Sequence, residues 1–360
     1  YSFIKFFEKK FSRKIINKMN SYFLIIFFSI IYLLILNYYL IKFDVCLDKV
    51  SKNENHKLLL RLDNFTPLSG TFYFLPAFLI LLYNLDFEIK FAFSLFFILG
   101  LLSDLKILNS YKLRLFFQIS FLSVFFFISK DLEIYTRLEF IDNLMDHDLL
   151  RIIICTFFFM VLINGFNLID GTNSLCSLNF LIISIFTYLI INKMNIDFIN
   201  NELNILIILI LIFFTFNFFG RNFLGDGAAY GIGFLLGYIL VKISLIDQSI
   251  SPYYIANLFW YPAFENLFSI LRRTFKSINN YLPDNYHLHH LIYKYLKKKD
   301  YIKKKFLLSS LVGLIINFVL IINYSIGYIY LTNTVVQSVL IISGVFLYLV
   351  VYYSLIKKIN

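Results

Sequence analysis

A chain of 360 residues that is 59% hydrophobic, 20% aromatic and only 15% charged, with a mean hydropathy of +0.75, falls outside the range of water-soluble domains and reads as an all-α, polytopic integral membrane protein. The net charge of +11 suits an anionic leaflet and phosphorylated substrates, and basic residues confined to short loops between spans leave no module for nucleic acid, so no such partner is expected. Cys46, Cys155 and Cys176 are scattered and give neither a disulfide framework nor a zinc site.

Residues 1–20 carry Lys5, Lys9, Lys10, Arg13, Lys14 and Lys18 among Phe and Ile, the pattern of a basic amphipathic segment lying on a membrane surface, and residues 21–360 read as one transmembrane domain. Apolar runs at about 21–40, 71–85, 89–102, 113–129, 149–169, 175–192, 204–219, 228–246, 252–271, 306–326 and 334–355 predict 10–11 transmembrane helices. The polar stretch 41–70 reads as a loop ending in Pro67-Leu68-Ser69-Gly70. The loop 130–148 holds only Lys130 and Arg137 as basic residues and is predicted exterior, whereas 272–305, with ten Lys and Arg, is predicted cytoplasmic. Alternation then gathers 41–70, 103–112, 170–174, 220–227 and 272–305 on the cytoplasmic face. Eleven crossings leave the basic residues 1–20 outside, against the positive-inside rule, so either that segment re-enters the interface or one span near it is miscounted.

Four polar stretches at the ends of these spans carry chemistry. Ser103-Asp104-Leu105-Lys106 puts a carboxylate and an ammonium where a span meets water. Asn164, Asn167 and Asp170 recur every third residue and drift about 60° per step, covering one side of the last two turns of a helix that Gly171 then ends. An Asp within an apolar span costs about 2.5–3.5 kcal/mol on insertion scales, so this side should face a polar cavity or another helix. Between Asn217 and the next span lies Gly225-Asp226-Gly227, where flanking glycines let backbone approach a ligand and a single Asp suits Mg²⁺ completed by substrate phosphates.

The last stretch is Pro283-Asp284-Asn285-Tyr286-His287-Leu288-His289-His290, holding three of the chain's five histidines between Arg272, Arg273 and Lys276 and Lys294, Lys297, Lys298 and Lys299. Imidazoles in so positive a field suit phosphate oxygens better than a divalent metal. Carboxylates for Mg²⁺ and cations for a diphosphate, together on one membrane face, describe phosphoryl-group transfer with the second substrate in the bilayer.

Taken in order over about residues 48–300, these motifs resemble those of the polyprenyl-phosphate N-acetylhexosamine-1-phosphate transferases, which include the translocase that makes lipid I. Pro67 to Gly70 is similar to the family's Pro-x-x-Gly-Gly, Gly100 to Lys106 to its Asp-Asp motif, and Asn164 to Leu175 to its Asn-x-x-Asn-x-x-Asp-Gly-x-Asp-Gly-Leu motif. Gly225-Asp226-Gly227 resembles the segment bearing its Mg²⁺ ligand, Pro262-Ala263-Phe264-Glu265 its Pro-x-Phe-Asp/Glu, and Pro283 to His290 its Pro-Asp-x-x-His-x-His-His loop. Departures stand at Thr71 and Ser174, where Gly is usual, at Ser103 and Asn173, where Asp is usual, and at Gly227-Ala228-Ala229, where a turn containing Ser and Gly is usual.

The resemblance implies an enzyme of the bacterial inner (plasma) membrane with its active site on the cytoplasmic face. It would pass N-acetylhexosamine-1-phosphate from a UDP-sugar to polyprenyl (undecaprenyl) phosphate, releasing UMP and priming a surface polysaccharide. Asp226 would hold Mg²⁺, or Mn²⁺ in its place, and Asp104 would position or deprotonate the lipid phosphate. Asn164, Asn167, Asp170, Asn173 and Asn217 would line the nucleotide side, with Asp170 in the catalytic set. His287, His289, His290 and Arg273 would neutralise phosphate charge, with Lys106 also in contact with substrate. The expected partners are the UDP-sugar, the lipid phosphate and the membrane, with a homodimer left open. The rival readings are a transporter or flippase of lipid-linked sugars and an inactive transferase homologue; polar residues at span ends rather than at the midplane favour the enzyme over the transporter.

Overall fold

The computed structural model describes residues 2–49, 65–81, 85–130, 132, 134–196, 199–275, 286–300 and 302–359. Among these, the chain forms α1 (Ser2–Lys42), the strands β1 (Leu47–Lys49) and β2 (Phe65–Pro67), then α2 (Gly70–Leu81), α3 (Phe87–Asp104), α4 (Tyr111–Ile128), α5 (Glu139–Met145), α6 (Asp148–Ile169) and α7 (Leu175–Lys193). It continues through α8 (Asn200–Phe218), α9 (Asp226–Ile246), α10 (Pro252–Phe275), α11 (Leu288–Lys298), α12 (Lys305–Ile329) and α13 (Thr334–Ile359). Among the described residues each of the eleven apolar runs meets a helix, and eight helices are long and apolar enough to cross a membrane: residues 21–42 of α1, and α4, α6, α7, α8, α9, α12 and α13. The remaining three runs fall short for visible reasons. Helix α2 has 12 residues, α3 carries Glu88, Lys90 and Asp104, and α10 mixes Pro252, Asn257, Pro262, Glu265 and Asn266 into its apolar residues and is too polar throughout. The protein is thus an all-α, multi-pass membrane protein.

Three local features differ from the sequence reading. The stretch 41–70 is not only loop, since β1 and β2 pair antiparallel with Asp48 opposite Thr66. Short helices α5 and α11 lie within segments read as loops. Residues 2–20 continue the first span as one helix of 41 residues, about 60 Å long at 1.5 Å per residue and so twice the depth of a bilayer core.

Helix α9 is the central pillar, with 78% of its span buried against 17% for α13 and 11% for residues 21–42 of α1. A helix that is apolar all round belongs in the interior, and small residues let its neighbours close on it. Phe93 packs on Gly231, Phe166 on Gly233, and Leu162 and Phe159 on Gly237. Phe234 lies among Phe96, Phe125 and Phe159, with ring centroids 5.1, 5.2 and 5.8 Å away, each pair contributing about 0.5–1.5 kcal/mol beyond burial. The crossing of α3 on the start of α9 is a main-chain contact: a Cβ on Gly100 would overlap the backbone of Gly227. Gly70 likewise sits against the backbone of Leu224.

The two ends of the bundle are fastened differently. At one end Arg137, at φ +57°, donates through Nη2 to the carbonyls of Gln248 (2.7 Å), Ser249 (3.2 Å) and Ile250 (3.2 Å). Its Nη1 donates to Thr334 Oγ1 (2.8 Å) and the Thr332 carbonyl (3.4 Å), so one guanidinium ties three loops. The other end holds the last turns of α3 and α6 and the start of α9, where the polar motifs converge.

Candidate active site

The backbone of Pro67 to Thr71 is zipped to the turn before α9. Gly70 N–H donates to the Phe223 carbonyl (3.2 Å), Thr71 N–H to that of Leu224 (3.0 Å), and Phe223 N–H to that of Pro67 (3.0 Å). Gly225 follows at φ +81°, a conformation costly for any residue with a Cβ, and turns the chain so that α9 begins at Asp226. The open N–H groups of that first turn are capped from a distance: Asp104 accepts from Asp226 N–H (2.8 Å, Oδ1) and Gly227 N–H (3.2 Å, Oδ2). Thr71 Oγ1 donates to Asp104 Oδ2 (2.6 Å) and accepts from Ala228 N–H (3.2 Å). A carboxylate at a helix N-terminus is favoured by both hydrogen bonding and the helix dipole. Asp170, just past α6, accepts from Gly225 N–H at 3.2 Å. Two of the three carboxylates therefore grip the turn that presents the third.

Asp226 is held on both oxygens. Oδ2 accepts from Arg114 Nη1 (2.5 Å) and Ser103 Oγ (2.6 Å), Oδ1 from Asn167 Nδ2 (2.7 Å), and Arg114 Nη1 also reaches Ser103 Oγ at 2.7 Å. The Asp226 and Arg114 side chains remain about a fifth exposed. A cavity of ≈ 230 Å³ opens here, lined among others by Asp48, Ser103, Asp104, Lys106, Asn167, Asp170, Gly171 and Asp226. Burial, and then the neighbouring charge of Asp226, pushes the Asp104 carboxyl up to about 7, against the pull of Thr71 and the α9 N–H groups. Burial likewise raises Asp170 well above the usual carboxylate range, opposed by the N–H groups of Gly225 and Leu224. Acids shifted toward neutrality in a polar cleft are suited to proton exchange near pH 7.

The histidines close the same end. His287 precedes α11, and His289 and His290 lie on its first turn. His287 Nδ1 meets Glu265 Oε1 at 3.0 Å, its ring stacks parallel to that of His289 at 5.4 Å, and a Cβ on Gly171 would lie 3.8 Å from His289 Nε2. The histidine turn thereby abuts the Asp170-Gly171 wall of the cavity. Pro283, Asp284, Asn285 and Lys276 lie outside the described residues.

The structure brings together Asp104, Lys106, Asn167, Asp170 and Asp226 as cavity lining, with His287, His289 and His290 alongside. It does not bring Asn164, Asn173 or Asn217 there. Asn164 Nδ2 donates to Gln118 Oε1 (2.9 Å) and to the Met160 carbonyl, joining α6 to α4. Asn173 is buried, with its N–H on Ser309 Oγ (3.2 Å). Asn217 accepts from Ser174 N–H and Ser177 Oγ and donates to the Asn222 carbonyl, all at 2.7 Å. The side-chain amides of Asn164 and Asn217 join neighbouring helices and turns, as an amide in a packed interior must find a partner, and Asn173 is tied to α12 through its main-chain N–H. Arg273 lies half-buried on the last turn of α10. Missed by the sequence reading are Arg114 and the direct contact of Thr71 with Asp104. The available signal for Arg114 was a guanidinium between Leu113 and Leu115 in the first turn of an apolar helix.

As for a metal, among the described residues no three His, Cys, Asp or Glu side chains converge at ligand spacing. A cation here would take few protein ligands, and the hard oxygens of Asp226, with Asp104 and Asp170 behind it, fit Mg²⁺ completed by phosphate and water. Comparison with curated proteins returns no match. Residues 87–244 match the model of glycosyl transferase family 4. This segment contains Ser103, Asp104, Arg114, Asn167, Asp170 and Asp226, while Glu265 and the histidine turn lie beyond it. The matched segment thus runs through every helix that supplies a carboxylate to the cavity, and over that segment the chain is similar to glycosyl transferase family 4.

Proposed function

We propose that the protein transfers an N-acetylhexosamine-1-phosphate from a UDP-sugar to polyprenyl phosphate, releasing UMP, with the site on the cytoplasmic face of a bacterial plasma membrane. The observation that carries this reading is the meeting, at one end of the bundle, of three carboxylates, Arg114 and Lys106 with a wall of three histidines. A phosphate oxygen of the lipid attacks the sugar-bearing phosphorus, and the diphosphate bridge breaks as UMP leaves. Asp104 positions the lipid phosphate or takes its proton, a task suited to a carboxyl held near neutrality. Arg114, Lys106 and the histidines neutralise diphosphate charge, and Asn167 orients the Asp226 carboxylate. Asp226 is the residue to hold Mg²⁺, which when bound neutralises phosphate oxygens and supports the leaving group. Ser103, where the resemblance expects an acid, donates to Asp226, so the site keeps a polar contact at that position without a second negative charge.

A radiolabelled UDP-sugar panel with undecaprenyl phosphate, in membranes carrying the protein, tests the reaction and identifies the sugar. Asp226→Asn should lower turnover by about 10²-fold or more, with an unchanged unfolding midpoint. Near wild-type turnover in that variant would remove Asp226 from the mechanism, and no transfer with any donor would remove the reading.

A further inference from the structure

Glu265 is buried in α10, yet both its oxygens are engaged: one accepts from Leu288 N–H (3.3 Å) and lies 3.0 Å from His287 Nδ1, and the other accepts from Tyr348 Oη (2.8 Å). Donors on both oxygens favour the ionised carboxylate, which a buried position tolerates only when it is so surrounded. Leu288 N–H is one of the open donors of α11, so Glu265 fixes both the start of that helix and the imidazole before it. Tyr348 comes from α13, far along the chain, and its ring is wedged against Phe264 (5.0 Å) and Phe268 (5.6 Å). His287 in turn stacks on His289, which faces Gly171. A contiguous line of contacts thus runs from the last helix to the wall of the carboxylate cavity.

We infer that Tyr348 is a positioning residue of the site: through Glu265 it sets the ring orientation and tautomer of His287, and through the stacked His289 the seat of the substrate's phosphate. With Nδ1–H given to Glu265, Nε2 is the basic nitrogen of His287, the arrangement by which a carboxylate partner usually fixes a working imidazole. The groups placed against this ring are Glu265 on α10 and His289 and His290 on α11, with Tyr348 on α13 behind Glu265. Asp170 lies next to the Gly171 that faces His289.

The inference rests on the transferase reading only for its activity arm. Tyr348→Phe keeps the ring and removes the donor on the far oxygen of Glu265, and Glu265→Gln replaces the carboxylate by an amide. In full-length protein labelled with ¹⁵N-histidine, with His287 assigned by its loss in His287→Asn, the Nδ1–H tautomer should dominate in the neutral wild-type ring, and both variants should move the ring toward a mixture of the two tautomers. In the assay, the lowered turnover of Tyr348→Phe should be expressed mainly in kcat. An unchanged tautomer population in Tyr348→Phe, or a wild-type Nε2–H tautomer, overturns the inference even if Glu265→Gln does not fold. A tautomer shift in a protein that transfers no sugar would sink the transferase reading and leave the positioning role standing.

Discussion

Arg114 and Arg137 sit at opposite ends of the bundle and are spent in opposite ways. Arg137 gives its hydrogens to four carbonyls and one hydroxyl, all neutral, and no carboxylate answers its charge among these bonds. Arg114 is bonded at 2.5 Å to a carboxylate that lines the cavity and to Ser103 beside it, with about a fifth of its side chain exposed. A guanidinium among carbonyls is a fastener, since nothing that enters from solution offers better partners than the five it has. Beside a carboxylate in an open cavity, it is one half of an exchangeable pair: phosphate oxygens can compete for it, and a cation can compete for its partner.

The sharpest way to break this comparison is Arg114→Met, which keeps the apolar stem. Turnover should fall by about 10²–10³-fold, the loss typical of removing a donor aimed at developing charge, while the unfolding midpoint in detergent stays close to wild type. Mn²⁺ bound to the substrate-free variant, read by electron paramagnetic resonance, should hold more tightly than in wild type because its competitor for Asp226 is gone; weaker binding would contradict the exchangeable pair. The mirror experiment is Arg137→Ala. It should cost about 1–2 kcal/mol of stability, seen by thermal unfolding in detergent, because exposed neutral hydrogen bonds contribute little each, and turnover should stay within about threefold. A large loss of activity there would mean that the far end is coupled to the site. The smallest effect belongs to Asn164→Ala, which removes one interhelical bond to Gln118 and should cost about 0.6 kcal/mol with no change in KM for the UDP-sugar. A raised KM would return Asn164 to the substrate.

The helices were legible in the sequence because an apolar run of span length has few other uses. Strands β1 and β2 were not, since three residues carry no readable alternation. Helix α11 was hidden because its Lys and Tyr residues read as a basic loop, although Leu288, Leu291 and Tyr293 bury one side of it. The carboxylates at 104, 170 and 226 could be gathered from sequence because each ends or starts a span on the same face. The three-residue spacing of Asn164, Asn167 and Asp170 gave a helix side but not what that side meets: Asn167 reaches Asp226, while Asn164, one turn earlier, reaches Gln118 and the Met160 carbonyl. Arg114 was passed over because a lone cation near a span end ordinarily reaches out to the headgroups.

The contact of Gly100 with the backbone of Gly227 has a bearing on how such a site can diverge. Because main chain touches main chain there, the approach of α3 to α9 is set by the backbone, and the side chain at 103 adds only a hydrogen bond to Asp226. That position can trade an acid for a hydroxyl while the frame stays put, so a lineage can explore new chemistry in the cavity at little risk to assembly. The glycine has no such latitude, since any larger residue would push α3 off the start of α9 and pull the two carboxylates apart.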